Sequence, residues 1–153
     1  MKKLIQIFLF LTVHFAVYCQ TEIPTKKELK KAKADTTLNV NILFENHTTW
    51  EEIGYYDYKA NEYRISDSSR QVVFVNKKTV NYVTPSDKLE IKNNHEFKIT
   101  YGGTGPEQQT FKILAVRGDY LILESKFVNK GYVNGKLAWK QKKKLRYIWK
   151  IKE

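Results

Sequence analysis

The sequence predicts an all-β domain: an antiparallel meander of about eight or nine strands, closed or nearly closed into a barrel, with a two-sheet sandwich as the alternative. Three observations predict it. Apolar residues alternate with polar ones at period two from Leu38 to the C-terminus. Turn residues interrupt these runs every 8–12 residues or so. Aromatic side chains are abundant, at 14% with ten Tyr and eight Phe, which suits a pleated, half-buried surface.

Taken in order, the chain opens with a leader-like segment. Lys2 and Lys3 precede an apolar run from Leu4 to Tyr18, and no acidic residue occurs before Glu22. The run is shorter than the roughly 20 residues a spanning helix needs, so residues 1–19 read as a signal peptide, with export to the periplasm or beyond as its consequence. Val17 and Cys19 occupy the minus-three and minus-one positions of a cut before Gln20. The alternative is lipidation at Cys19, against which Tyr18 is a bulky preceding residue. Residues 20–37 are polar and rich in lysine, with Leu29 as the one large apolar residue between Lys26 and Ala34. A single anchor makes a poor helical face, so this segment is expected to be a solvated linker.

Residues 38–153 are expected to form one domain. Leu38, Val40, Ile42 and Phe44 alternate with polar neighbours and predict a first strand, Leu38–Glu45. A turn is expected near Thr48–Ile53. Arg70–Asn76 and Tyr120–Leu123 are apolar on both faces and read as central strands. Leu89 and Ile91, then Phe97, Ile99 and Tyr101, then Phe111, Ile113 and Ala115 mark three more strands, and Leu145, Tyr147, Trp149 and Ile151 mark the last. Gly118-Asp119 and Asn134-Gly135 are hairpin signals, because mirror-image turns need positive φ. Closure of such a meander removes its exposed edges, and a barrel of about eight strands has room for one small ligand.

The charge sits at the two ends. The formal net charge is +11, yet residues 35–125 are mildly acidic and residues 126–153 hold ten basic side chains against Glu153 alone. Lys140, Lys142, Lys143, Lys144 and Arg146 interleave with Trp139, Tyr147 and Trp149. One reading is an anion-binding surface, which in an exported protein would meet an anionic membrane or an acidic glycan; nucleic acid is not an expected partner in that compartment. The other is a solvated face, with Lys140–Lys144 as a loop and the lysines discouraging edge pairing.

Reactive chemistry is sparse. His47 and His95 have no ligand spacing, so no metal is expected. No catalytic residue and no cofactor are expected, since no nucleophile elbow, phosphate loop or dinucleotide fingerprint occurs. Gly102–Pro106 lacks the lysine and helix of a phosphate cradle and reads as a turn or a lid over a barrel mouth. Glu51 and Glu52 lie near Asp57, Tyr55, Tyr56 and Tyr58. Neighbours in a strand point to opposite faces, so the two glutamates should not share a site. Asn46-His47-Thr48 spells a glycosylation sequon, and Arg117-Gly118-Asp119 is a turn that happens to spell an adhesion motif.

Three stretches resemble the small bacterial lipocalin-like (calycin-type) envelope domains: RQVVFVNKKTVNYV at 70–83, FKILAVRGDYLIL at 111–123 and LRYIWKIK at 145–152. Trp50 stands where that family begins its first barrel strand with a tryptophan, although Thr48 replaces the favoured glycine two positions earlier. The similarity spans about the last two-thirds of the chain. It implies a non-enzymatic barrel that binds a small hydrophobic or amphipathic molecule among Phe74, Tyr82, Phe97, Tyr101, Phe111, Tyr147 and Trp149. The alternative is an envelope protein–protein module such as an inhibitor, immunity or accessory protein. Interior volume should separate them, since a ligand pocket needs about 300 Å³ or more.

Overall fold

Alternation with turn chemistry between the runs does produce a meander, and the computed structural model describes it over residues 22–45, 49–102 and 107–152. Eight antiparallel strands follow in chain order: β1 (Thr49–Asp57), β2 (Glu62–Asn76), β3 (Thr79–Asn81), β4 (Asp87–Ile91), β5 (Glu96–Thr100), β6 (Gln108–Arg117), β7 (Tyr120–Val133) and β8 (Lys136–Ile151). Each pairs with the next, and β8 closes on β1 through registers such as Tyr55↔Tyr147 and Trp50↔Ile151. The fold is therefore a closed barrel and not a two-sheet sandwich.

The turns behave as their residues require. Asn134 and Gly135 both hold positive φ, 51° and 74°, as a two-residue mirror-image turn demands, and Gly118 does so at 55°. Inward positions make one cluster that includes Trp149, Phe74, Phe97, Phe111, Ile99, Leu121 and Leu123, all almost fully buried. Each such side chain contributes about 1.5–3 kcal/mol on burial, so this cluster is the main stabilising element.

Three expectations fail before β2. Leu38–Glu45 does not form a strand; Val40–Leu43 is a 3-10 helix that plugs the lower end of the barrel. The Asn39 side chain accepts from the Asn41 N–H at 3.0 Å, the local bond by which asparagine starts a helical turn. Val40 and Leu43 are buried, Leu38, Ile42 and Phe44 pack on the core, and the Phe44 ring meets Phe74 at 5.4 Å. Apolar contact on all sides, not on one face, is what that run of residues encoded. Of the turn expected near Thr48–Ile53, residues 49–53 instead begin β1, with Trp50 buried in the core, and Thr48 lies outside the described residues.

The lysine-rich segment is folded too, against its reading as a solvated linker. Lys26–Lys31 is a helix, α1, begun by a capping box in which the Thr25 hydroxyl accepts from the Glu28 N–H and Glu28 accepts from the Thr25 N–H. Lys30 and Lys31 complement the dipole at its end. Its one anchor suffices because it enters a prepared site: Leu29 is buried outside the barrel among Tyr56, Leu114, Tyr120, Ile122 and Ile148. Tyr63 donates to the Pro24 carbonyl at 2.8 Å, Lys26 to the Asn61 carbonyl at 2.8 Å, and Arg146 to the Leu29 carbonyl.

The basic run is also different from its reading as a loop. Lys140–Lys144 lies within β8. Pairing of β7 with β8 runs from Tyr120↔Lys150 to Val133↔Lys136, well beyond the last β6–β7 pair at Gln109↔Phe127 and the last β1–β8 pair at Asp57↔Leu145. The outer part is a two-stranded arm. Among the described residues no helix is long and apolar enough to cross a membrane. The leader, Cys19, His47 with its sequon, and Gly103–Pro106 lie outside the described residues.

Candidate functional site

Register decides which side chains enter the lumen. Trp50, Glu52, Tyr55 and Asp57 share the inward side of β1 across its bulge, since they pair with Ile151, Trp149, Tyr147 and Leu145. The seven aromatic residues named from the sequence come together there. Phe97 and Phe111 stack at 5.1 Å; Trp149 lies 5.4 Å from Phe111, 5.8 Å from Tyr82 and 6.1 Å from Phe74; Tyr82 lies 5.9 Å from Tyr101, and Phe111 5.9 Å from Tyr147. These are contact distances for rings, so in the lower and middle lumen the rings fill one another's space.

Above the rings the lining turns polar. The Tyr82 hydroxyl donates to Glu52. Tyr101 donates to Gln109 Oε1 at 2.6 Å, and Gln109 Nε2 donates to Ser125 Oγ at 2.6 Å and to the Tyr147 hydroxyl at 3.2 Å. The Arg70 guanidinium lies 5.4 Å over the Tyr82 ring while remaining exposed. Among the described residues the upper part of β2 pairs with β1 alone, because β3 reaches only to Asn81↔Val73. That side of the upper end therefore has no second flanking strand among the described residues.

Burial governs the titration of this cluster. It pushes the Glu52 carboxyl above its ordinary value, offset in part by the Tyr82 hydrogen bond and the Arg70 charge. Burial also pushes Tyr82 well above the usual tyrosine range, with the Glu52 charge adding to it. Tyr101 and Tyr147 are raised for the same first reason. The hydroxyls therefore stay protonated; Tyr82 and Tyr101 act as donors, and Tyr147 accepts from Gln109. The Trp149 indole nitrogen is buried beside Glu52 and helps hold that carboxyl down, although it meets no acceptor at strict bonding geometry among the described residues. A buried N–H in that state is uncommon.

At the rim, Asp87 is buried and accepts from the N–H groups of Val83 (2.9 Å), Thr84 (3.0 Å) and Gly102 (3.3 Å) and from the Thr84 hydroxyl. It ties the β3–β4 loop to the end of β5. Burial raises its carboxyl, but these donors outweigh burial and hold it below the usual range.

Depressions among the described residues lie outside the ring cluster. One of about 180 Å³ at the lower end is bounded by Ile42, Trp50, Val116 and Tyr120. One of about 420 Å³ lies over Asn93–Glu96 and Lys112. A shallow groove of about 340 Å³ at the root of the arm lies between Lys126–Val128 and Lys142–Lys144.

The basic residues named from the sequence divide. Lys140 and Lys142 are exposed on the arm. Lys143 pairs with Asp57 at 3.0 Å, and Lys144 with Glu124 at 3.0 Å. Arg146 does not belong to an anion-binding surface: it is buried, hydrogen-bonded to the Leu29 carbonyl and 3.5 Å from Glu124. Its place in the strand puts it under α1, which covers it.

Arg70, Gln109 and Ser125 carry no mark of a site in the sequence, and Glu52 stands out there only as the neighbour of Glu51. Parity is the one signal: Glu52 has the parity of Trp50, Arg70 that of Val72 and Phe74, and Gln109 that of Phe111. Glu51 faces the other way and pairs with Lys152 at 3.3 Å. His95 meets the Leu38 carbonyl at 2.6 Å and helps seat the plug. Arg117, of the adhesion-like triplet, pairs with Glu28 of α1. No group of three or more His, Cys, Asp or Glu suited to a metal occurs among the described residues. In comparisons with family models, curated proteins and solved structures, nothing matches this chain.

Proposed function

We propose that this chain is an exported, non-enzymatic binding module of the lipocalin-like, calycin type, which takes a small amphipathic molecule at its upper mouth. One observation carries the reading: among the described residues, the hydrogen-bonded polar side chains of the lumen gather at its upper end, beneath an exposed arginine. A barrel that needed nothing but packing would gain nothing from a half-buried carboxylate, a buried amide and three tyrosine hydroxyls there. Arg70 and the tyrosine hydroxyls suit an anionic or hydroxyl-bearing head group. Tyr55 and Phe127, half-buried on the edge of the core, suit its apolar part. The contact among the lower rings argues for a ligand lying across the mouth and not one sunk to the barrel floor.

The test is a fluorescence titration on a Trp50→Phe, Trp139→Phe background, with oleate and oleylamine as probes. Trp149 then reports from directly below the mouth. Saturable binding of oleate is expected, weakened about tenfold or more by Arg70→Ala, with oleylamine much weaker. Absence of binding by both probes, or oleate binding indifferent to Arg70→Ala and Tyr82→Phe together, overturns the reading. The second reading, an envelope interaction module using the barrel as a scaffold, is favoured by the ring-filled lower lumen. Specific capture of one protein from an envelope extract, with no probe binding, would decide for it.

A further inference from the structure

The β7–β8 arm is the part of the molecule that the barrel does not explain. Beyond Phe127 and Leu145 it has no flanking strand among the described residues, and a two-stranded ribbon alone is marginally stable in water. Its side chains make that worse in water. Tyr132, Val133, Leu137 and Trp139 are 53–62% exposed. Tyr132 pairs with Leu137, and Gly131 with Trp139, so across the bulge Tyr132 and Leu137 share one face of the ribbon while Trp139 and Val133 lie on the other, and both faces of the tip are apolar. Lys130 stands directly opposite Lys140 on the face of Tyr132 and Leu137, a like-charge pairing that weakens a ribbon. Lys126, Lys130, Lys136, Lys140, Lys142, Lys143 and Lys144 all fall between 126 and 144, with no acidic residue among them. Glu107, Glu124 and Asp57 reach Lys130, Lys126 with Lys144, and Lys143 respectively. Lys136, Lys140 and Lys142 form no ion pair among the described residues.

Trp139 is seated with some precision. A Cβ on Gly131 would come within 2.0 Å of its indole nitrogen, so only glycine lets the ring lie flat across the ribbon at that point. The arm thus presents an ordered tryptophan, a tyrosine and two aliphatic side chains at its tip, collared by uncompensated lysines. That combination matches the boundary of an anionic bilayer, where tryptophan and tyrosine settle at headgroup depth and lysines meet lipid phosphates.

We infer that the arm docks the protein on an anionic membrane, with its tip entering the headgroup layer and Lys136, Lys140 and Lys142 contacting lipid phosphates. This reading is separate from the mouth site.

Flotation of the full chain with phosphatidylcholine vesicles, and with vesicles of equal parts phosphatidylcholine and phosphatidylglycerol, tests it. Binding to the mixed vesicles is expected, at least about tenfold tighter than to pure phosphatidylcholine, reduced by salt, and accompanied by a blue shift of tryptophan emission that Trp139→Phe abolishes. Leu137→Ser with Trp139→Ser, and separately Lys140→Glu with Lys142→Glu, should each reduce binding about tenfold or more. Near-UV circular dichroism of the lumen rings checks that each variant keeps its barrel. Arg70→Ala should leave vesicle binding unchanged, which separates this result from the fate of the mouth proposal. Absence of binding at low salt overturns the inference. So does binding without a Trp139 shift, which is surface adsorption alone, and so does equal retention on soluble heparin with Trp139 still exposed, which would mark a glycan site.

Discussion

Glu52 on β1 and Tyr82 beyond β3 share a hydrogen bond across the lumen, with the phenol as donor. The carboxyl is held above its ordinary value by burial, and the phenol is held well above its own by burial and by the Glu52 charge. A proton at this pair is therefore favoured by folding.

The sign of the pH effect follows. Glu52 binds its proton more tightly in the folded state, so its contribution to stability is full below the ordinary glutamate value of 4.5 and is lost as pH rises through its raised folded value. Asp57, Asp87 and Glu124 are held below their ordinary values, so what they contribute is present above those values and lost as pH falls through the depressed ones. Glu52→Gln should raise the melting temperature at neutral pH and give little change at pH 4.5. Thermal melts of both proteins across that range provide the check; a difference that does not vary with pH would contradict the assignment.

Asp87 is the acceptor for four donors from two loops. Asp87→Ala leaves those donors without their charged partner, and a loss of about 3 kcal/mol is expected. Urea denaturation measures it. Asp87→Asn, which keeps part of the acceptor capacity, should cost less.

Leu29 is the side chain that seats α1. Leu29→Ala should destabilise the fold by about 3 kcal/mol. Hydrogen exchange should then show faster loss of protection at Asp35, whose N–H donates to the Leu114 carbonyl at 2.8 Å. A surface leucine on a solvated linker would show neither effect.

Gly131→Val puts a side chain where the Trp139 indole lies. Trp139 emission should shift as the ring is displaced, while the melting temperature of the barrel moves little because the arm lies beyond the last β6–β7 pair. A large loss of barrel stability would show that the arm is integral to the core.

The strands, the inward set of aromatics and the hairpin glycines were legible because they are local: period two, β-branched and aromatic residues, and positive φ at Asn134-Gly135 each leave a mark within a few residues. The site was legible only in part. Phe111 and Trp149 announce themselves by size, whereas Gln109 carries no local mark beyond its parity and Glu52 shows only as one of an adjacent acidic pair, since nothing nearby in sequence says that their partners lie 16 and 30 residues away.

Sequence alone determined that this chain makes antiparallel strands with aromatic residues on one face and a basic C-terminal end. Only the tertiary structure decided that Leu38–Phe44 plugs a barrel, that one leucine suffices to seat α1, and that Lys140 and Lys142 stand on a projecting arm while Arg146 is buried. Each of those outcomes depends on a surface assembled from distant strands, and hydrophobic burial responds to the assembled surface and not to the local pattern.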